Sequence, residues 1–329
     1  MRIIVTTSFI AMLSVGLLYF MKISSKQNDS IPIVAVANYG QHSSLNAIIV
    51  GMKNQLQKEG FIEGKTIQYQ IVDVGFDTAL IPQMVQKLKS YHPQVVVALT
   101  TPIAQYVKNS IKDRPVIFSA ITDPVDAGLL KNTHKPEKNI TGSSDRQDLS
   151  ALLSFAKALL PKAHRIGLFY ATAESNDRAL VDMMTEAAKK YQMQVISIPV
   201  DQQRDIPLRI QLFKDKVDFL YVGSSGPIQP SLPIIAIEAR KMGIPVFNLD
   251  EEAVKNHLVL ASYGVNYARI GEKTGTLVAA ILNGNPVEML DPIYPEIQDH
   301  DAYVSEKQAH DFGIEIPKDL PYALTILRS

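Results

Sequence analysis

The chain has 329 residues, long enough for two domains, and its 33 basic side chains balance 33 acidic ones. No basic stripe offers a surface to nucleic acid. It has no cysteine, which excludes disulfides, thiol catalysis, thiolate metal sites and a lipid-modified N-terminal cysteine. Arg2 precedes an apolar run, Ile3 to Met21, close to the length that spans a bilayer, and Lys22 to Asp29 form a polar tether. Tyr19, Phe20 and Met21 stand where a signal peptidase requires small side chains. Residues 1–30 are therefore read as an export segment and tether, with retention of Ile3–Met21 as a membrane anchor favoured over cleavage.

From Ile31 onward strands and helices alternate. Ile31 to Ala37 reads as a strand buried on both faces. Leu45, Ile48, Ile49, Met52 and Leu56 recur at helical spacing, and Gly60 stops that helix. Ile67–Val72, Val95–Leu99 and Pro115–Ala120 read as further strands, with helices over Ile81–Leu88 and Pro102–Ile111 between them. Asn139–Gly142 reads as a short strand leading to a crossover, and Leu149–Leu160 as an amphipathic helix.

The alternation then begins again. Strands are predicted at Arg165–Tyr170, Gln194–Val200, Asp218–Val222, Pro245–Leu249 and Leu258–Ser262. Helices are predicted at Asn176–Tyr191, Ile206–Lys214, Leu232–Met242 and Ile270–Leu282. Ile293–Ile297 is read as a strand and Ser305–Phe312 as a helix. The expected architecture is α/β: two similar Rossmann-like lobes with parallel sheets, joined by a multi-strand hinge. The first lobe takes 31–146 and about 265–300. The second takes 147–264 and about 301–329.

Enzyme signatures are missing. No phosphate-binding glycine loop follows the first strand, no G-x-S-x-G elbow occurs, and no paired-histidine spacing suggests a metal. Polar groups gather instead at the carboxyl ends of the predicted strands, where open α/β sheets bind ligands. In the first half these are Asn38 and Tyr39, Thr100 and Thr101, and Thr122 and Asp123. In the second they are Tyr170 with Glu174 and Asn176, then Ser224 and Ser225, then Asp250. Hydroxyls and N–H groups at helix starts suit a carboxylate, and an acid on the opposite lobe suits an ammonium. Each residue taken alone also reads as a helix cap; six such ends around one cleft read as a ligand site.

Several ordered motifs resemble a group of bacterial ABC-transporter substrate-binding proteins of the tryptophan-binding TrpX type. They are Thr101-Pro102-Ile103-Ala104-Gln105, Thr122-Asp123-Pro124 through Leu129, Asn139-Ile140-Thr141-Gly142, Leu159-Leu160-Pro161, Asn266 through Gly271, and Gly313-Ile314-Glu315-Ile316-Pro317. The resemblance implies the type I periplasmic-binding-protein fold, extracytoplasmic capture of a small solute, an amino acid and an aromatic one among the candidates, and delivery to a permease driven by ATPase subunits. The chain is expected to be a monomer with no enzymatic activity and no cofactor. Ser175-Asn176-Asp177 departs from the Asn-Ser that often follows the glutamate in that group, and Ser224-Ser225-Gly226-Pro227 departs from its polar, acidic loop. A tethered sensory ectodomain and an α/β enzyme working in the same cleft are the alternatives.

Overall fold

The computed structural model describes residues 31–317 and 324–327. The predicted segment Ile3–Met21 lies outside them, and among the described residues no helix is long and apolar enough to cross a membrane. Two sheets carry the architecture. The first holds β1 (Ile33–Asn38), β2 (Gln68–Asp73), β3 (Val95–Leu99), β4 (Val116–Ile121) and β5 (Ile140–Ser144) in the order β2-β1-β3-β4-β5, every pair parallel. All residues of β3, β4 and β5 are buried; β3 therefore reads as an unbroken apolar run and β4 as one interrupted only by Ser119, while β5 buries small and hydroxyl side chains.

Helix α1 (Ser43–Lys58) turns Leu45, Ile48, Met52 and Leu56 toward this sheet. It ends where Gly60 takes φ 91°, a left-handed residue that closes the helix at no steric cost. Helices α2 (Ile81–Ser90) and α3 (Thr101–Ser110) complete the βα units, with a proline in the first turn of each.

The second sheet holds β6 (Arg165–Tyr170), β7 (Gln194–Pro199), β8 (Phe219–Val222), β9 (Val246–Asn248), β10 (Ala261–Val265), β11 (His300–Ser305) and β12 (Leu324–Leu327). Their order is β12-β11-β10-β9-β8-β6-β7, parallel except where β10 meets β11. Its helices are α4 (Leu149–Leu159), α5 (Ser175–Lys190), α6 (Ile206–Arg209), α7 (Leu232–Lys241), α8 (Glu251–Lys255) and α10 (Glu306–Asp311).

Between β10 and β11 the chain returns to the first sheet as α9 (Tyr267–Leu282), whose Ile270, Leu277 and Val278 join the core built on β1–β5. Close approach of α1 and α9 depends on glycine. A Cβ added at Gly271 would sit 2.2 Å from the Ile48 carbonyl oxygen, and one at Gly51 would sit 2.1 Å from that of Ala268. Beneath them Thr274 Oγ1 meets Ser119 Oγ at 2.7 Å and Ser143 Oγ at 2.6 Å, a fully buried hydroxyl cluster tying α9 to β4 and β5.

The chain thus passes between the sheets three times, at Ser144–Leu149, Val265–Tyr267 and Ile293–His300. The passages are bonded to one another. Val265 N donates to Gln147 Oε1 at 3.1 Å, and Asp148 N donates to His300 Nε2 at 3.2 Å.

Some elements differ from their sequence readings. The strand predicted at Leu258–Ser262 begins at Ala261, because Val259 and Leu260 are buried in the approach to the strand rather than in it. Ile293–Ile297 is no strand: Ile293 makes one bridge to Ser143, and Ile297–Asp299 is a 3-10 turn. The Ile206–Lys214 helix splits into α6 and a 3-10 turn, Ile210–Phe213, which still bury Ile206, Ile210 and Phe213. Strand β11 pairs antiparallel to β10, so the second sheet is mixed rather than purely parallel.

Candidate functional site

The carboxyl ends of the two sheets face each other across one cavity, the place where open α/β sheets bind ligands. Tyr39 enters it after β1, Thr100 to Pro102 after β3, Ala120 and Thr122 from the end of β4, and Asp145 after β5. The second sheet contributes Glu174 after β6, Ser224 to Gly226 after β8, and Leu249 after β9. Tyr267, the first residue of α9, closes the end where the chain crosses.

Backbone conformation at two of these ends is unusual. Thr100 has φ 73° and ψ 160°, a region that excludes most β-branched residues. Ala120 has φ 56°, where the register of β4 against β5 shifts. Both turn the backbone at the cavity wall, and α3 begins beside them with no side-chain cap. Its first N–H groups and the positive end of its dipole are therefore available to an anion.

Three buried carboxyls set the electrostatics. Glu174 accepts from Tyr39 Oη at 3.0 Å, from Gly226 N at 3.2 Å and from Asn176 Nδ2 at 3.4 Å. Burial pushes its carboxyl up from the usual range. Asp177, next to it, accepts from Ala171 N and from Asn176 Nδ2, and burial followed by the Glu174 charge pushes it up to about 7. Asp145 accepts from Tyr267 Oη at 3.0 Å through one oxygen, while its Oδ1 has no partner at hydrogen-bond geometry; burial pushes its carboxyl up to about 6, against the opposing pull of Tyr267, its own backbone and the Thr122 hydroxyl nearby. Among the described residues no lysine or arginine lines the cavity. His42, also in the wall, is held below its ordinary pKa by burial, and its Nδ1 accepts from Ser44 N. The wall is short of positive charge and rich in carboxyl groups, the setting for a ligand ammonium.

The rest of the wall is apolar. Tyr39 and Phe76 meet edge to face with ring centroids 5.3 Å apart. Pro102, Leu45, Pro230 and Leu249 continue that surface. Such a wall takes a ring or an apolar side chain.

Eight of the twelve residues read from sequence line this cavity: Tyr39, Thr100, Thr101, Thr122, Glu174, Asn176, Ser224 and Ser225. Four do not. Asn38 is fully buried behind it and donates to the Gly40 carbonyl. Asp123 turns back on its own loop, accepting from Val125 N and Asp126 N and pairing with Arg146 at 3.3 Å. Tyr170 ends β6 without reaching the wall, and Asp250 caps α8 while accepting from Ser43 Oγ at 2.6 Å across the cleft. Asp145, Tyr267, His42, Ser44 and Phe76 line the cavity without having been singled out. Asp145 and Tyr267 lie on the passages between the sheets, and each stood in the sequence beside a recognisable strand or helix motif.

The model of the family described as ABC transporter substrate binding protein matches residues 33–323. A curated relative, the tyrosine-binding protein of Clostridioides difficile (strain R20291), is 32% identical over 266 residues, covering 81% of this chain and 76% of the relative. Among solved structures, the ABC domain in complex with L-Trp from Streptococcus pneumonia is 26% identical, with a TM-score of 0.83 over 88% of this chain and 97% of that one. The ligand-free, open structure of a substrate-binding protein with adhesive properties from Clostridium difficile is 30% identical and covers 90% of this chain and 99% of that one, with a TM-score of 0.69. The better superposition goes with the liganded structure, against the order of sequence identity.

Proposed function

This chain belongs to the family of ABC transporter substrate-binding proteins, and from that premise we propose that its cleft captures an aromatic amino acid. The observation that carries this is a cavity with buried carboxyls, no lysine or arginine among the described residues of its wall, an uncapped helix start on one side and a ring-lined surface on another. The ammonium pairs with a carboxyl, the carboxylate lies at the start of α3 with the hydroxyls of Thr101 and Thr122, and the side chain lies against Tyr39, Phe76 and Pro102. Relatives named for tyrosine and found with L-Trp support the ring-bearing class.

The lobes work as a clamp. Direct contacts already join them: Tyr39 to Glu174, Ser43 to Asp250, and Gln105 Nε2 to Ser175 Oγ at 3.1 Å. Together with the better fit to the L-Trp complex, they support reading the present arrangement as closed. Opening swings the lobes about the three passages between the sheets, and ligand shifts the balance toward closure because it bridges both walls. The closed form is handed to a membrane permease driven by its ATPase subunits. The protein acts outside the cytoplasm as a monomer, held at the membrane by Ile3–Met21.

Calorimetric titration of the full chain with L-tyrosine, L-tryptophan, L-leucine, L-glutamate and ribose tests the ligand class. Binding confined to the aromatic amino acids, with the ligand recovered unchanged, is expected. Binding of the sugar or of glutamate in their place overturns the reading.

A further inference from the structure

Resting on the aromatic amino acid proposed above, the hydrogen-bond inventory of the cavity wall goes one step further. Both oxygens of Glu174 are occupied by protein donors. Asn176 is fixed in orientation, since its amide nitrogen donates at 3.4 Å to Glu174 Oε2 and at 3.0 Å to Asp177 Oδ1. The flipped amide would set its oxygen against the oxygens of Glu174 and Asp177, a repulsive contact once those carboxyls are ionised. Its Oδ1 must therefore accept, yet it is buried with no partner. The other buried carboxyl or amide oxygen left open in the wall is Asp145 Oδ1.

These two acceptors are carried by different elements and have different neighbours. Asp145 follows β5, at the end where the chain crosses between sheets, beside Tyr267. Asn176 lies in the first turn of α5, next to the Tyr39–Glu174 contact that joins the lobes. The ligand ammonium has three N–H donors and is served by Asp145 at the crossing. Tyr39 and Phe76 put the ring near Glu174, which leaves Asn176, hydrogen-bonded to Glu174, beside the ring.

We propose that Asp145 takes the α-ammonium and that Asn176 is a specificity-determining acceptor for a hydrogen-bond donor on the ring. The site then prefers phenol- and indole-bearing amino acids to phenylalanine. Phenylalanine fills the same apolar wall but leaves Asn176 Oδ1 buried and unpaired on closure, a cost that sites built around a ligand O–H or N–H impose on analogues lacking it.

The test is calorimetry on the full chain with L-tyrosine, L-tryptophan, L-phenylalanine and 3-benzothienyl-L-alanine, the last being tryptophan with sulfur in place of the indole N–H. Wild type is expected to bind phenylalanine and the benzothienyl analogue at least about tenfold more weakly than the donor-bearing ligand of matching shape. In Asn176→Leu that ratio is expected to fall below about threefold, through weaker binding of tyrosine and tryptophan. The ratio is taken within one protein, so a partly unfolded variant does not mimic the result. Equal wild-type affinity for each matched pair, or an equal loss for all four ligands in Asn176→Leu, overturns the assignment while leaving the aromatic reading standing. Failure of all four to bind wild type overturns both.

Discussion

Asp145 gathers the main demands of this site in one carboxyl. It is buried, raised to about 6, and has one oxygen held by Tyr267 and the other open. Asp145→Asn is expected to weaken amino acid binding by about 30-fold or more, the usual cost of losing one side of a buried charged pair, without lowering the melting temperature of the free protein at neutral pH, because the raised carboxyl pKa already costs stability there. Calorimetry and thermal unfolding on the same preparation check both. Because an ammonium needs the ionised carboxylate, wild-type affinity is expected to fall as the pH drops below about 6, and Asp145→Asn to lose that dependence.

Asp177 acts on stability instead. Its folded pKa, about 7, lies above the ordinary 3.8, so the folded state keeps a proton that the unfolded chain releases. Stability from this group is full below about pH 4, declines as pH rises toward 7 and stays level above that. Asp177→Asn is therefore expected to melt higher than wild type at pH 8, with the gain gone at pH 4. Thermal scans at the two pH values decide it.

Among elements, the contact of α1 with α9 is the most constrained. Gly271→Ala would drive a methyl into the Ile48 carbonyl, and the helices can accommodate it only by moving apart. A loss of about 3 kcal/mol or more is expected, read from chemical denaturation. Thr274→Val removes the hydroxyl shared by Ser119 and Ser143 and is expected to cost about 1–3 kcal/mol.

Elements were also the scale at which the sequence spoke most clearly. Val95–Leu99 and Arg165–Tyr170 match their strands residue for residue, because a buried parallel strand writes itself as a continuous apolar run between polar ends. Strand β11 escaped because His300, Asp301 and Tyr303 break any apolar run, and it is held by pairing with β10. In the cleft, Thr101 and Ser224 were legible from the strand-end rule. Asp123 obeyed the same rule, yet its side chain folds back onto its own turn, and only the three-dimensional path of that loop shows it. Asp145 follows a strand end as well, but it comes near Tyr267 only through the crossover geometry.

For the whole molecule, the Tyr39–Glu174 hydrogen bond is a contact between lobes made by two residues of the cavity wall itself. Tyr39→Phe keeps the ring against Phe76 and deletes only the donor. The expected result is faster ligand release with little change in association, since the contact forms after the ligand has entered. Stopped-flow dissociation against wild type measures it.

The interleaving of the two lobes also bears on how the polypeptide is made. The first sheet is complete at Ser144, yet the helix that covers it against α1 ends only at Leu282, after the five parallel strands of the second sheet. At ordinary rates of translation the amino-terminal body waits on the order of ten seconds for its missing wall. Through that interval the face of α1 around Ile48 and Gly51 and the hydroxyls of Ser119 and Ser143 stand without their α9 partners. A nascent chain arrested before Tyr267 should consequently be a good client for holdase chaperones, and one arrested well beyond Leu282 a poor one.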